Sequence, residues 1–310
     1  MRFCQLKSDV NPVPAVQTPS GKVLALSALV PDVPATMEAL IEAAAEGRVD
    51  LGVIAKNVAA LTPDDENRYG AVGADLASMA APITRPPKFF AIAINGRANW
   101  ERSIKPEGAT AQYFIKLRTC ITGPGDPVEI PDIGSVGPEV ELAVIIGKGG
   151  KNIPEASALE HVFGYTIHND LTAHDLRSQK SWIKLVRKDG SEEQLTYPGR
   201  WKNFDTFSPL GPWLVTPDEV PDPDNLRMTA HLNVDLVQEG TTADFVFDVP
   251  QLIAFLSEAH TLEPGDIIST GTVPAVVPWT MAGLDLRRYG GQITCEIEGL
   301  GKQINPIKAV

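Results

Sequence analysis

The chain has 310 residues, 43% of them hydrophobic and 21% charged, enough to bury a sizeable core in one or two domains and too apolar for a disordered chain. Its 39 acidic residues against 27 basic ones give a formal charge of −12, which works against binding to nucleic acid or anionic lipid; the best basic stretch, KLVRKDG (184–190), is short and is followed by Glu192 and Glu193. Three scattered cysteines (Cys4, Cys120, Cys295) make neither a disulfide framework nor a metal motif, the start lacks a signal-peptide core, and no apolar run reaches the ~20 residues of a spanning helix, so a cytoplasmic protein with no nucleic-acid or membrane partner is expected.

In chain order, KVLALSAL (22–29) predicts a strand and ATMEALIEAAAEG (35–47) an amphipathic helix ending at glycine. TPDDENRYG (62–70) is polar and reads as a loop. Three prolines in APITRPPKFFAIAING (81–96) precede an apolar run, which puts a boundary near residue 85: a small N-terminal domain over 1–85 and a second domain over 86–310. From there the chain alternates short strands with turns. Strands are predicted at 88–95, 140–147, the start of 165–176, and 266–272. A strand pair is predicted over 225–240 and a last hairpin over 291–302, with a short helix at 154–164 and a longer one within 249–266. The 26 glycines and 26 prolines agree with a turn-rich, strand-rich α+β fold.

Within PEVELAVIIGK (138–148), Glu139 and Glu141 are two residues apart in a predicted strand and share one face with Ala143 and Ile145, while Val140, Leu142 and Val144 line the other. One reading is a solvated acidic edge. The other is a buried pair whose repulsion is relieved by a divalent cation. HNDLTAHD (168–175) adds two histidines and two aspartates after another strand, and Asp170 offers a third carboxylate. Oxygen ligands without cysteine suit Mg²⁺, Mn²⁺ or Ca²⁺ rather than zinc.

GPEVELAVIIGKGGKNI, HVFGYTIHNDLTAHDL, WKNFDTFSPLGPWLVTPDEVPDP and LEPGDIISTGT follow one another in the order and spacing of the fumarylacetoacetate hydrolase superfamily, which the chain resembles from about residue 88 onward. The resemblance implies a mixed β-roll or sandwich catalytic domain and a homodimer. It implies Mg²⁺ held by Glu139, Glu141 and Asp170, and a small 2-oxo or 1,3-dicarbonyl acid as substrate. By the same resemblance Lys202 is the active-site lysine. Lys116, Gly271 and Thr272 contact substrate, although Leu117 replaces the usual proline after Lys116. Read alone, Lys202 is a surface lysine over an aromatic patch and Gly271 a plain turn.

The departures concern the reaction. Hydrolytic members carry N-Y-x-x-H-x-x-E, whose histidine and glutamate activate water. Here the segment is NGRANWER (95–102), with Asn99 at the histidine position and Arg102 at the glutamate position. Asn99 has no titratable group to act as a base. His174 stands where relatives often have arginine, and Arg177 where they have glutamine; if the chain hydrolyses, His174 or metal-bound water is the expected base, and Arg177 is a substrate contact. His168 reads either as a support behind Asp170 or as a packed core residue. The stretch 181–201 is longer than in many relatives and is either a lid or a surface insertion. VPAVVPW (273–279) suggests an apolar wall and a substrate larger or more hydrophobic than oxaloacetate. The family's commonest reaction, C–C hydrolysis of an acylpyruvate-type substrate in the catabolism of aromatic or cyclic compounds, is the first expectation. Decarboxylation or keto–enol tautomerisation on the same metal is the second, and metabolite binding without catalysis the third.

Overall fold

The computed structural model describes residues 1–276, 278 and 280–310. Its centre is the strand Val140–Ile146, in which all seven residues are buried. Both faces are covered, so the segment is a nearly continuous apolar run, broken by Glu141. Val140, Leu142, Val144 and Ile146 belong to one core with Met228, Ala230, Ile293 and Cys295. Ala143 and Ile145 belong to a second core with Met37, Leu40 and Ile41 of the helix Met37–Ala45.

The strand sits inside a ten-stranded sheet, antiparallel to Val162–Asn169 on one side and to Ile267–Thr272 on the other. Beyond Ile267–Thr272 lie Phe89–Ala93, paired parallel, and then Gln112–Ile115. In the other direction the sheet continues through Leu214–Val215 to Arg2–Leu6, Val13–Gln17 and Val23–Ala25. Residues before 85 therefore contribute strands to the same sheet as residues after it. A five-stranded sheet packs over the first core, in the order Asp235–Thr241, Arg227–Leu232, Gln292–Ile297, Gly301–Ala309, Val128–Ile130.

Several local expectations change. The loop expected at 62–70 contains the helix Pro63–Arg68: Thr62 caps it, Asp65 returns the bond in a capping box, and Pro63 opens it. Its polar composition hid a well-made N-terminus. The strand expected over 22–29 stops at Ala25 and tightens into the 3₁₀ turn Leu26–Ala28. The helix expected at 154–164 is a 3₁₀ segment, Glu155–His161. Strands Arg2–Leu6 and Val13–Gln17 carry no clear alternation in sequence and are fixed by pairing with each other and with Leu214–Val215. Among the described residues no helix is long and apolar enough to cross a membrane.

Candidate metal centre and its cavity

Three adjacent segments bring the acids together. Glu139 precedes the central strand and Glu141 is its second residue. Asp170 follows the neighbouring strand, tied back by its N–H to the Glu139 carbonyl at 2.9 Å. One oxygen from each carboxylate lies within 4.8 Å of the others. Glu139 keeps partial exposure, while Glu141 and Asp170 are buried. The solvated-edge reading of the glutamate pair therefore does not hold.

Two lysines are drawn in with them. Lys116 Nζ donates to Asp170 Oδ1 at 2.7 Å and to the Phe207 carbonyl at 3.2 Å, and also reaches the Lys202 carbonyl. Lys202 Nζ donates to Glu139 Oε2 at 2.7 Å, to the other oxygen of Asp170 and to its carbonyl. Both are almost fully buried, so neither is a surface lysine. Burial alone would raise the Asp170 carboxyl, but Lys116 and Lys202 outweigh it and hold it at about 2. Burial, with Asp170 and Glu139 adding to it, pushes Glu141 up to about 8. Burial works against the Lys202 charge, yet Asp170, Glu139 and Glu141 hold its pKa above the ordinary lysine value.

These residues fit a divalent cation. The donors are all carboxylate oxygens, which suit a hard ion. The resistance of Glu141 to ionisation reflects too much negative charge in one dry place, which a cation relieves. Glu141 is also held ready: Ser269 Oγ donates to its Oε2 at 2.6 Å and the Gly271 N–H at 3.1 Å. Gly271 has φ 104, and a Cβ there would lie 2.8 Å from the Asn95 Cβ, so the turn requires glycine.

A cavity of about 280 Å³ opens on this centre and is lined by Glu139, Glu141, Asp170 and Lys202. Phe114, Trp201 and Ile92 supply apolar wall, and Asn99, Arg177 and Thr272 polar wall. The size is at the small end for ligand sites, suited to a small acid. Arg177 stacks over the Trp201 ring at 5.1 Å. The Thr272 hydroxyl is turned inward, donating to the Val140 carbonyl at 2.8 Å and accepting from Gln238. Gly271 sends its N–H to Glu141.

Asn99 lies in the short helix Arg97–Arg102, and its Oδ1 accepts from Arg102 Nη2 at 2.7 Å. The two positions that would carry a water-activating dyad thus bond to each other. Asn95 braces this corner, donating to the carbonyls of Phe247 and Thr270 and accepting from the Phe247 N–H. His174 opens the helix His174–Lys180 and is not among the residues that line the cavity. Burial holds its imidazole below the ordinary range against the pull of Glu139. Among the described residues the hairpin Trp182–Val186 with Glu192–Thr196 forms a sheet of its own, and the segment reaches the cavity through Thr196 and Pro198. The wall expected over 273–279 falls partly on Val277 and Trp279, which lie outside the described residues.

Reading the sequence missed Ser269, Gln238 and Phe114. Ser269 had a weak signal: it opens a run of hydroxyl residues in the strand Ile267–Thr272 and stands two residues before the glycine that faces Glu141. Gln238 and Phe114 had none, because they arrive from distant strands.

The family description "Fumarylacetoacetate (FAA) hydrolase C-terminal" fits residues 88–308. A human protein named as a mitochondrial oxaloacetate tautomerase is 35% identical over 99% of this chain and 91% of its own. A solved maleylpyruvate hydrolase from Sphingobium sp. SYK-6, in complex with manganese(II) and pyruvate, superposes with a TM-score of 0.73 at 28% identity, covering 100% of this chain and 99% of that one. A fumarylacetoacetate hydrolase from Exiguobacterium antarcticum superposes with a TM-score of 0.75 at 28% identity, covering all of both chains. A match over most of the chain, a whole-length relative and a common fold lead to one conclusion: the chain belongs to the fumarylacetoacetate hydrolase family.

Proposed function

We propose that the protein is a Mg²⁺-dependent keto–enol tautomerase of a small 2-oxo acid bearing a second carboxylate. The observation that carries this reading is the Asn99–Arg102 pair, which puts an amide bound to a guanidinium where hydrolytic members keep a histidine and a glutamate. The name of the human relative supports the same order. C–C hydrolysis, ranked first from sequence, moves to second.

Tautomerisation moves one proton between oxygen and carbon and breaks no bond between heavy atoms, so it asks for no activated water. Glu139, Glu141 and Asp170 would hold a divalent cation, which would supply Lewis-acid polarisation of the 2-oxo group. Mg²⁺ is taken as the resident ion, with Mn²⁺ or Ca²⁺ accepted by the same oxygens. Lys202, kept charged by the carboxylates around it, presents a cation to the oxygen that gains negative charge. Lys116 fixes Asp170 from behind, so its role is positioning. Arg177 at the rim receives the second carboxylate, and Asn99 offers an amide beside it. The hairpin over 182–196 closes the entrance as a lid.

The test uses the Mg²⁺-loaded protein with enol-form oxaloacetate. Decay of the enol absorbance, accelerated well beyond the metal-only control and without pyruvate formation, supports the reading. Pyruvate formation would replace it with decarboxylation. Cleavage of an acylpyruvate with ¹⁸O from solvent in the released acid would replace it with hydrolysis. Thermal stabilisation by the acid with no reaction would make the protein a binder.

A further inference from the structure

The most unusual buried group beside the metal centre is His168. It is fully buried between strands, and its ring meets Phe89 edge-on at 4.9 Å between centroids. Its Nδ1 lies 2.7 Å from Ser269 Oγ, and among the described residues Nε2 meets no hydrogen-bond partner. Ser269 Oγ in turn donates to Glu141 Oε2 at 2.6 Å.

The sheet explains why these three meet. Glu141 and His168 are direct partners across Val140–Ile146 and Val162–Asn169. Ser269 pairs with Ala143, and the register shifts between Ala143 and Glu141, where Thr272 becomes the partner. That irregularity swings the Ser269 hydroxyl toward Glu141 and the Gly271 N–H with it.

Proton counting then fixes the roles. A serine hydroxyl carries one hydrogen. If Ser269 gives it to Glu141, the bond to His168 must carry the hydrogen of Nδ1. The opposite tautomer would take the serine hydrogen away from Glu141 and leave a buried Nε2–H without an acceptor among the described residues, which costs its full desolvation. We infer that His168, through Ser269, is a positioning residue for Glu141: the relay Nδ1–H···Oγ–H···Oε2 fixes the carboxylate and leaves Oε1 as the oxygen that would hold a cation. This rests on the metal reading above and adds a residue that the family's own ligand set does not include.

The test has two arms. Mn²⁺ alone is titrated into the metal-free protein by calorimetry, for the unaltered protein and for Ser269→Ala, His168→Asn and His168→Leu. Asparagine can place an N–H near the Nδ1 position, whereas leucine keeps the bulk and loses the donor. Affinity should fall ten- to a hundredfold for Ser269→Ala and His168→Leu, and stay within about threefold for His168→Asn. If His168 only fills space, leucine is tolerated and asparagine is worse, which overturns the inference. Unchanged affinity in Ser269→Ala also overturns it. The second arm records ¹⁵N shifts of the histidine rings in the unaltered, metal-free protein at about pH 9.5, where Glu141 is ionised and can only accept, and needs no variant to fold. A His168 Nδ1–H tautomer supports the relay and an Nε2–H tautomer overturns it. Failure of the unaltered protein to bind Mn²⁺ overturns the metal reading, and the ¹⁵N arm, which involves no metal, tells that failure from failure of the relay.

Discussion

Replacing Glu141 with glutamine should stabilise the metal-free protein while abolishing its response to metal. Burial beside Asp170 and Glu139 pushes Glu141 up to about 8 from an ordinary value of 4.5. A carboxyl whose folded pKa is raised adds stability that is fully present below 4.5 and is lost as pH rises toward 8. At pH 7 the loss amounts to about 3 kcal/mol, at 1.36 kcal/mol per pH unit. Glu141→Gln removes that penalty, and its amide oxygen can still accept from Ser269 and Gly271. At roughly 2 °C per kcal/mol for a chain of this size, the variant should melt about 6 °C above the unaltered protein in EDTA at pH 7. The gap should close toward pH 4. Metal at a hundred times its Kd should then raise the unaltered protein by about 2.7 kcal/mol, about 5 °C, and leave the variant where it was. Thermal melts at pH 4, 5.5 and 7, with EDTA or Mg²⁺, read all of this. A variant that melts below the unaltered protein in EDTA, or that shifts equally with Mg²⁺, refutes the crowding of charge on which the reasoning rests.

Lys202→Met should lower kcat about 10²- to 10³-fold at saturating metal, the usual loss for a donor to a developing oxyanion. Calorimetry on the same variant should show Mn²⁺ binding no weaker than before, because the Lys202 ammonium competes for Glu139 and Asp170. Gly271→Ala places a Cβ against Asn95 at φ 104, and should cost about 1–3 kcal/mol by denaturant melts. Asp224 is raised to about 6, chiefly by burial, so its favourable contribution is present below 3.8 and lost as pH rises through 6. Asp224→Asn keeps the bond from the Val249 N–H and should gain about 1 kcal/mol at pH 7, discounted for its exposure, and almost nothing at pH 4. Chelation should abolish turnover, and Mg²⁺ or Mn²⁺ should restore it, in the enol-decay assay.

Much of the site was legible because strand periodicity is short-range. The i, i+2 spacing alone put Glu139 and Glu141 on one face with Ala143 and Ile145, and the structure keeps that face. Asn99 and Arg102 were equally visible as departures, since they sit in one short segment. The lysines were located by motif, but their near-complete burial was not. Their composition and spacing are those of surface residues, and only the convergence of Gln112–Ile115 with the turn at Arg200–Lys202 takes them out of water. His174 shows the limit of residue type as a guide: the helix it begins brings Arg177 to the cavity lining, while His174 itself is not on that lining.

The sequence by itself determined the alternation of the central strands, the carboxylate set and the kind of ion it suits, because these follow from neighbouring residues and donor chemistry. Only the tertiary structure decided which charges are buried, that Lys116 and Lys202 share Asp170, and that Ser269 stands between His168 and Glu141. Those contacts join residues 32 to 128 positions apart, and they exist only once strand register aligns Glu141, His168 and Ser269 and the turn at Arg200–Lys202 closes over Asp170.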